Sequence, residues 1–143
     1  MDQETYILVA DDDADFVLLL RTAFECAGFN GRFEITTDGR QVIQFLERSI
    51  ASEVLNSWPC LVLLDLGLPR LPGPAVFKWI RDHPETAALP VVFMTGAEAG
   101  NEARFGADDW FVKPFGFSKL VETAEHLCDC WVPSRALLGT EHH

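Results

Sequence analysis

Four short apolar runs in this chain each stop at a polar residue, and that pattern constrains the fold more than any other feature. Ile7-Leu8-Val9-Ala10 gives way to Asp11-Asp12-Asp13, and Leu61-Val62-Leu63-Leu64 to Asp65. Val91-Val92-Phe93-Met94 runs into Thr95-Gly96, and Trp110-Phe111-Val112 into Lys113-Pro114. The first two read as continuous apolar runs, as strands buried on both faces do. Helical patterns separate the runs. Phe16, Leu19, Leu20, Ala23 and Ala27 make a stripe at helical spacing, opened by an Asp cap near Asp13 and closed by Gly28. A strand near Arg32–Thr37, with Phe33 and Ile35 alternating against polar neighbours, leads through Asp38-Gly39 to a helix that buries Val42, Phe45, Leu46 and Ile50. Cys60–Leu64 is the third strand. Pro72-Gly73-Pro74 opens a helix lined by Val76, Phe77, Trp79 and Ile80. A short helix near 98–105 and a last helix from Gly116 to Cys130 complete the alternation. Such alternation implies a doubly wound α/β fold, a parallel sheet with helices on both faces.

Size and charge narrow the function classes. At 143 residues the chain is most simply one domain, and 48% hydrophobic content is ample for one core. A net charge of −11 argues against a nucleic-acid surface, which needs a basic face. No stretch approaches the roughly 18 apolar residues of a membrane span. The acidic start, Met-Asp-Gln-Glu-Thr, is unlike a signal peptide, so a cytoplasmic location is expected. Cys26, Cys60, Cys128 and Cys130 lack zinc-finger spacing and read as reduced thiols. The closing Glu141-His142-His143 is similar to a truncated purification tag and is assigned no function. Residues 1–133 are expected to form the domain and residues 134–143 a tail.

In doubly wound folds, ligands bind beyond the carboxyl ends of the strands, at the point where strand order reverses. The residues at those ends are therefore the candidate site. Asp11, Asp12 and Asp65 offer the hard oxygen ligands that Mg²⁺ prefers. Thr95 offers a hydroxyl and Lys113 an ammonium. The set is suited to holding a divalent cation and a phosphoryl group on Asp65. Alone, each member is ordinary: Asp11–Asp13 as a capped turn, Asp65 as a loop acceptor, Thr95 as a strand end. Their joint placement at successive strand ends is what carries weight.

From about Thr5 to Trp131 the chain resembles the response-regulator receiver domains of two-component signalling. The matching motifs are Asp11-Asp12, Asp65, Thr95 and Lys113-Pro114-Phe115. The resemblance implies a flavodoxin-like five-stranded sheet in order 2-1-3-4-5. It implies that Asp65 accepts a phosphoryl group from a phosphohistidine on a sensor histidine kinase, with Mg²⁺ as cofactor. Asp12 would ligate the metal directly, Asp11 largely through water, and the Gly67 carbonyl would be a further ligand. Lys113 would pair with Asp65 and then with its phosphate. Thr95 would donate its hydroxyl to that phosphate, and Trp110, three residues before the lysine, would be the switch aromatic.

Some positions depart from the family. Gly67 and Leu68 stand where a polar residue and Met are frequent. Trp110 stands in place of Tyr or Phe. The spacing from Thr95 to Lys113 is short by roughly one helical turn, about four residues. The long connection after the second helix and the Leu-Pro-Arg following Asp65 are similar to receivers associated with bacterial phytochromes. The expectation is a single-domain response regulator, a phosphoacceptor switch rather than an enzyme, that signals through protein contacts to a downstream target not identified by the sequence. A homodimer is expected through the fourth helix, fifth strand and last helix, because the last helix is apolar at Phe117, Leu120, Val121, Ala124, Leu127, Cys128 and Trp131, with Phe105 and Trp110 nearby; the alternatives are that these side chains fill a gap left by a truncated fourth helix, or that the tail from Val132 folds back over them. The competing reading is a degraded receiver serving as a binding scaffold. A haloacid-dehalogenase-like phosphatase would need an Asp where Gly67 stands. A flavodoxin-like FMN protein would need neutral or basic donors where Asp11–Asp13 stand.

Overall fold

The computed structural model describes residues 4–52, 58–96, 106–114 and 116–138. The elements are β1 (Tyr6–Ala10), α1 (Ala14–Cys26), β2 (Arg32–Thr36), α2 (Gly39–Ala51), β3 (Leu61–Asp65), α3 (Gly73–Asp82), β4 (Val91–Thr95), β5 (Asp109–Val112) and α4 (Phe117–Trp131), followed by a 3₁₀ turn at Ser134–Ala136. The strands form one sheet in order β2-β1-β3-β4-β5, and every neighbouring pair is parallel. The expected fold class and strand order hold. The expected short helix near 98–105 lies outside the described residues.

Strand alternation divides the core in two. Ile7, Val9, Leu61, Leu63, Val92 and Met94 point to the layer packed by α1 and α4. Leu8, Ala10, Val62, Leu64, Val91 and Phe93 point to the layer packed by α2 and α3. All twelve are fully buried, and burial of each large one contributes about 1.5–3 kcal/mol. Register then fixes the strand ends. Ala10 lies beside Leu64, Asp65 beside Met94, and Thr95 beside Val112. Asp11, Asp65, Thr95 and Lys113 therefore emerge along one edge of the sheet.

Several local expectations shift. Asp13 caps α1 by accepting from the Phe16 N–H at 3.1 Å, and Gly28, at φ +101°, ends it. The buried stripe is Phe16, Val17, Leu20, Ala23 and Phe24, whereas Leu19 is 49% exposed. Five consecutive apolar residues, Phe16 to Leu20, span more than one helical face, so periodicity alone does not choose between Val17 and Leu19. In β2 it is Thr36 that is buried, with its hydroxyl donating to the Val9 carbonyl, while Ile35 is exposed. Strand β3 begins one residue later than expected and takes in Asp65.

The last helix differs most. Leu120, Ala124, Leu127 and Cys128 are buried, and Val121 and Trp131 pack against the same cluster. The chain beyond Trp131 joins that cluster through Val132, Ala136 and Leu137. It is held by Asn30 N–H donating to Ala136 O at 2.9 Å and Leu138 N–H donating to Gly28 O at 2.7 Å. The apolar surplus of α4 is thus largely absorbed within the fold. Of the residues expected to form a patch, Phe117 stands exposed at 41%, and Phe105 lies outside the described residues.

Candidate functional site

The β1 end supplies two of the acids. Asp11 is 1% exposed, because it follows a strand buried on both faces and its own N–H donates to Thr36 O. Its Oδ1 accepts from the Asp13 N–H at 2.9 Å. Its Oδ2 is paired with the Lys113 ammonium at 2.8 Å. Asp12 is exposed. Asp65, at the end of β3, accepts from the Gly67 N–H at 3.3 Å. One carboxylate oxygen from each of Asp11, Asp12 and Asp65 lies within 4.8 Å of the others.

Lys113 reaches this group from the end of β5, anchored by its N–H donating to Thr95 O at 2.8 Å. Its ammonium lies 2.8 Å from Asp11 and 3.7 Å from Asp65, and 4.7 Å from the centre of the Phe16 ring. The sequence reading pairs Lys113 with Asp65; in the structure the buried Asp11 holds it more closely. The electrostatics follow from this crowding. Desolvation raises the Asp65 pKa, Asp11 and Asp12 raise it further, and Lys113 and the Gly67 N–H oppose the rise. Burial alone would lower the Lys113 pKa, but the Asp11 carboxylate, then Asp65 and Asp13, outweigh it and the net shift is upward. One ammonium thus partly neutralises three carboxylates. Three clustered carboxylates that share one ammonium are hard oxygen donors in excess of their neutralising charge, a set that fits a divalent cation of the Mg²⁺ type.

Thr95 is 2% exposed, and its hydroxyl donates to Gly96 O at 3.2 Å. Among the described residues, a Cβ added at Gly67 or at Gly96 would meet nothing within 4 Å, so none of them crowds the space beside Asp65 and Thr95. Trp110 is half-buried and packs against the α2–α3 side of the core. Phe115 lies outside the described residues.

The loop after Asp65 contains what the sequence reading missed. Arg70 takes φ +69°, with Leu71 N–H donating to Pro69 O at 2.7 Å, a tight three-residue turn that is strained for a side-chain-bearing residue. Its guanidinium meets Asp38 at 3.3 Å, and Asp38 also caps α2 through the Gln41 N–H. Gly39 N–H donates to Pro69 O, and a Cβ at Gly39 would overlap the Leu71 carbonyl. A Cβ at Gly73 would come within 2.6 Å of the Asp65 carbonyl oxygen. The loop carrying Asp65 and Gly67 is thus clamped by the first turns of α2 and α3. Asp38-Gly39 and Pro72-Gly73 read only as helix starts in the sequence, and nothing there places them against the loop.

Comparison with known proteins accords with this arrangement. The family model for the response regulator receiver domain matches residues 7–125. The chain belongs to that family. It is 32% identical over 130 residues to a probable methanogenesis regulatory protein, FilR2, of Methanothrix harundinacea, covering 88% of this chain and 82% of that protein. It is 34% identical over 119 residues to the transcriptional regulatory protein CpxR of Escherichia coli K12, covering 80% of this chain but 45% of CpxR. The receiver thus spans about half the length of that relative. Among solved structures, the response regulator RPA3017 in red light signalling of R. palustris superposes with a TM-score of 0.78 at 27% identity, covering 95% of this receiver and 99% of that chain. The Mn²⁺-bound response regulator Rcp1 shares the fold with a TM-score of 0.74 at 23% identity, covering 93% and 98% of the two chains. The phosphorylated cyanobacterial phytochrome response regulator RcpA shares the fold with a TM-score of 0.76 at 20% identity, covering 94% and 99% of the two chains, so the resemblance to phytochrome-associated receivers holds at the level of fold. No helix among the described residues is long and apolar enough to cross a membrane.

Proposed function

We propose that this receiver accepts a phosphoryl group on Asp65 from the phosphohistidine of a sensor histidine kinase and passes the signal on by protein contacts, in the cytoplasm. The observation that carries the proposal is Lys113 Nζ, placed 2.8 Å from Asp11 and 3.7 Å from Asp65 at the open edge of the sheet. Transfer forms a bond between an Asp65 carboxylate oxygen and phosphorus while the N–P bond breaks. The electron pair leaves on the imidazole nitrogen of the kinase. The reaction is limited by negative charge: a carboxylate must meet a phosphoryl group, so catalysis is positioning plus charge stabilisation. Lys113 is already beside Asp65 and stabilises charge on the acyl phosphate that forms. Thr95 would release the Gly96 carbonyl and donate to a phosphoryl oxygen. Trp110, on β5, is the proposed aromatic partner of that movement. Asp12, Asp65 and the Gly67 carbonyl would hold Mg²⁺, with Asp11 acting largely through water. The bound ion supplies positive charge against the phosphoryl oxygens.

The test is incubation with Mg²⁺ and acetyl phosphate followed by intact-mass measurement. Wild type should gain one phosphoryl mass and Asp65→Asn none. Equal labelling of the two would refute the assignment, and no labelling of either would favour a binding-only scaffold.

A further inference from the structure

We propose that the β2 edge of the sheet is a homotypic interface, at which β2 pairs antiparallel with β2 of a second copy of this chain. β2 ends the strand order, and among the described residues it pairs with β1 alone. Arg32 N–H donates to Thr5 O, and Asp11 N–H donates to Thr36 O, so the backbone groups of Arg32, Glu34 and Thr36 face β1. By alternation, the N–H and C=O groups of Phe33 and Ile35 face away from the sheet, an open row that a further strand can pair.

Charge decides what that strand is. Arg32 and Glu34 point to the α2 side of the edge, where Arg32 lies over the Tyr6 ring and pairs with Glu34 of its own chain. Charges on an edge strand ordinarily resist pairing, because a neighbour brings like charges together. This edge is instead self-complementary. In an antiparallel pair centred on Phe33, Phe33 and its copy exchange both backbone hydrogen bonds. Arg32 then lies opposite the partner's Glu34, and Glu34 opposite the partner's Arg32. Both pairs fall at positions without direct backbone bonds, where side chains approach most closely. Centring on Arg32 or on Glu34 would set two arginines or two glutamates face to face. The other face supplies apolar contact. Ile35 points to the α1 side, beside Val9, yet is 38% exposed because β2 is the edge. Arg21 of α1 lies over the Phe33 ring at 5.6 Å, so this side of α1 borders β2. Leu18, one turn before Arg21, is 63% exposed. Twofold pairing brings Ile35, Leu18 and their copies to one seam, in a closed dimer whose sheet runs through both copies.

The test is charge exchange in the full chain, read by sedimentation and native mass spectrometry. Wild type should dimerise as its concentration rises, and hydrogen exchange at the Phe33 and Ile35 amides should slow in step. Arg32→Glu and Glu34→Arg each turn two attractive cross-strand pairs into two repulsive ones, and should each weaken association at least about tenfold. An equimolar mixture of the two variants should restore dimers, because one copy then sets two acids opposite two arginines. The variants differ in mass, so heterodimers are counted apart from homodimers. The double exchange of Arg32→Glu with Glu34→Arg keeps the pair within each copy and should dimerise like wild type. A wild-type monomer at every attainable concentration, or a dimer that neither single substitution weakens, overturns the proposal. So does failure of both the mixture and the double exchange to restore association.

Discussion

Replacing Lys113 with Met tests the idea that one ammonium makes the buried Asp11 tolerable. At an effective dielectric of about 20, a lysine 2.8 Å from Asp11 and 3.7 Å from Asp65 is attracted by roughly 6 and 4.5 kcal/mol. Most of this offsets the desolvation of the charges, so the gross sum is not the stability lost. Removing one partner of a buried pair typically costs about 3–5 kcal/mol, because the other charge stays buried. Lys113 retains some exposure and Asp11 none, so we take the lower end, about 3 kcal/mol. For a domain of this size that lowers the melting temperature by roughly 10 °C. The measurement is urea and thermal unfolding in chelator for wild type, Lys113→Met, Asp11→Asn and the double variant. Asp11→Asn alone should be nearly neutral, since it also removes repulsion of Asp65. The double variant should recover about 2 kcal/mol relative to Lys113→Met, a coupling expected only of groups in contact. A Lys113→Met loss below about 0.5 kcal/mol, or a double variant no more stable than Lys113→Met, would refute the reasoning, since surface-like substitutions fall in that range.

Millimolar Mg²⁺ should raise the melting temperature. Occupancy at 100 times the dissociation constant adds about 2.7 kcal/mol, and Asp12→Ala should lose most of that rise in a thermal-shift series. Gly73→Ala should push the Asp65 carbonyl and cost about 1–3 kcal/mol in urea unfolding, whereas Gly67→Ala, with clear space around it, should leave stability unchanged. Burial pushes the Cys128 thiol up to about 12, so the folded state keeps a proton that the unfolded state loses above its ordinary value of 9.0. Stability is therefore full below that value and falls as pH rises through it, by at most about 1.4 kcal/mol per pH unit from this group. Urea unfolding of Cys128→Ala between pH 9 and 10 should show a shallower fall; an identical slope would refute the assignment.

Much of this molecule could be read from the chain because its strands announce themselves. Each apolar run stops at a residue that cannot be buried alone, so Asp11, Asp65, Thr95 and Lys113 mark both the strand ends and the candidate site. Less was legible where the signal is not periodic. Five apolar residues in succession do not mark the inward face of α1, and the stripe read from the sequence took Leu19 where Val17 is buried. The turn at Ser134–Ala136 is too short to carry a pattern, so the tail from Val132 folding back over α4 stood only as an alternative to an exposed face, and the packing of Ala136 and Leu137 decides for it. Which carboxylate lies nearer to Lys113 depends on side-chain distances of an ångström or less. The clamp around the Asp65 loop joins Arg70 and Gly73, which follow Asp65 closely, to Asp38 and Gly39, which lie far before it in sequence.

That clamp divides the glycines of the site into two kinds with different evolutionary freedom. Gly39 and Gly73 lie against backbone carbonyls, and a side chain at either position displaces the loop that carries Asp65. Gly67 and Gly96 border the same carboxylate and hydroxyl, but no described residue lies within 4 Å of a Cβ placed at either. Selection can therefore try successive side chains at 67 and 96 without disturbing the scaffold, and under the proposed function these would change how water approaches the phosphoryl group on Asp65. Under that proposal, the duration of a signal can drift between lineages while the architecture stays fixed.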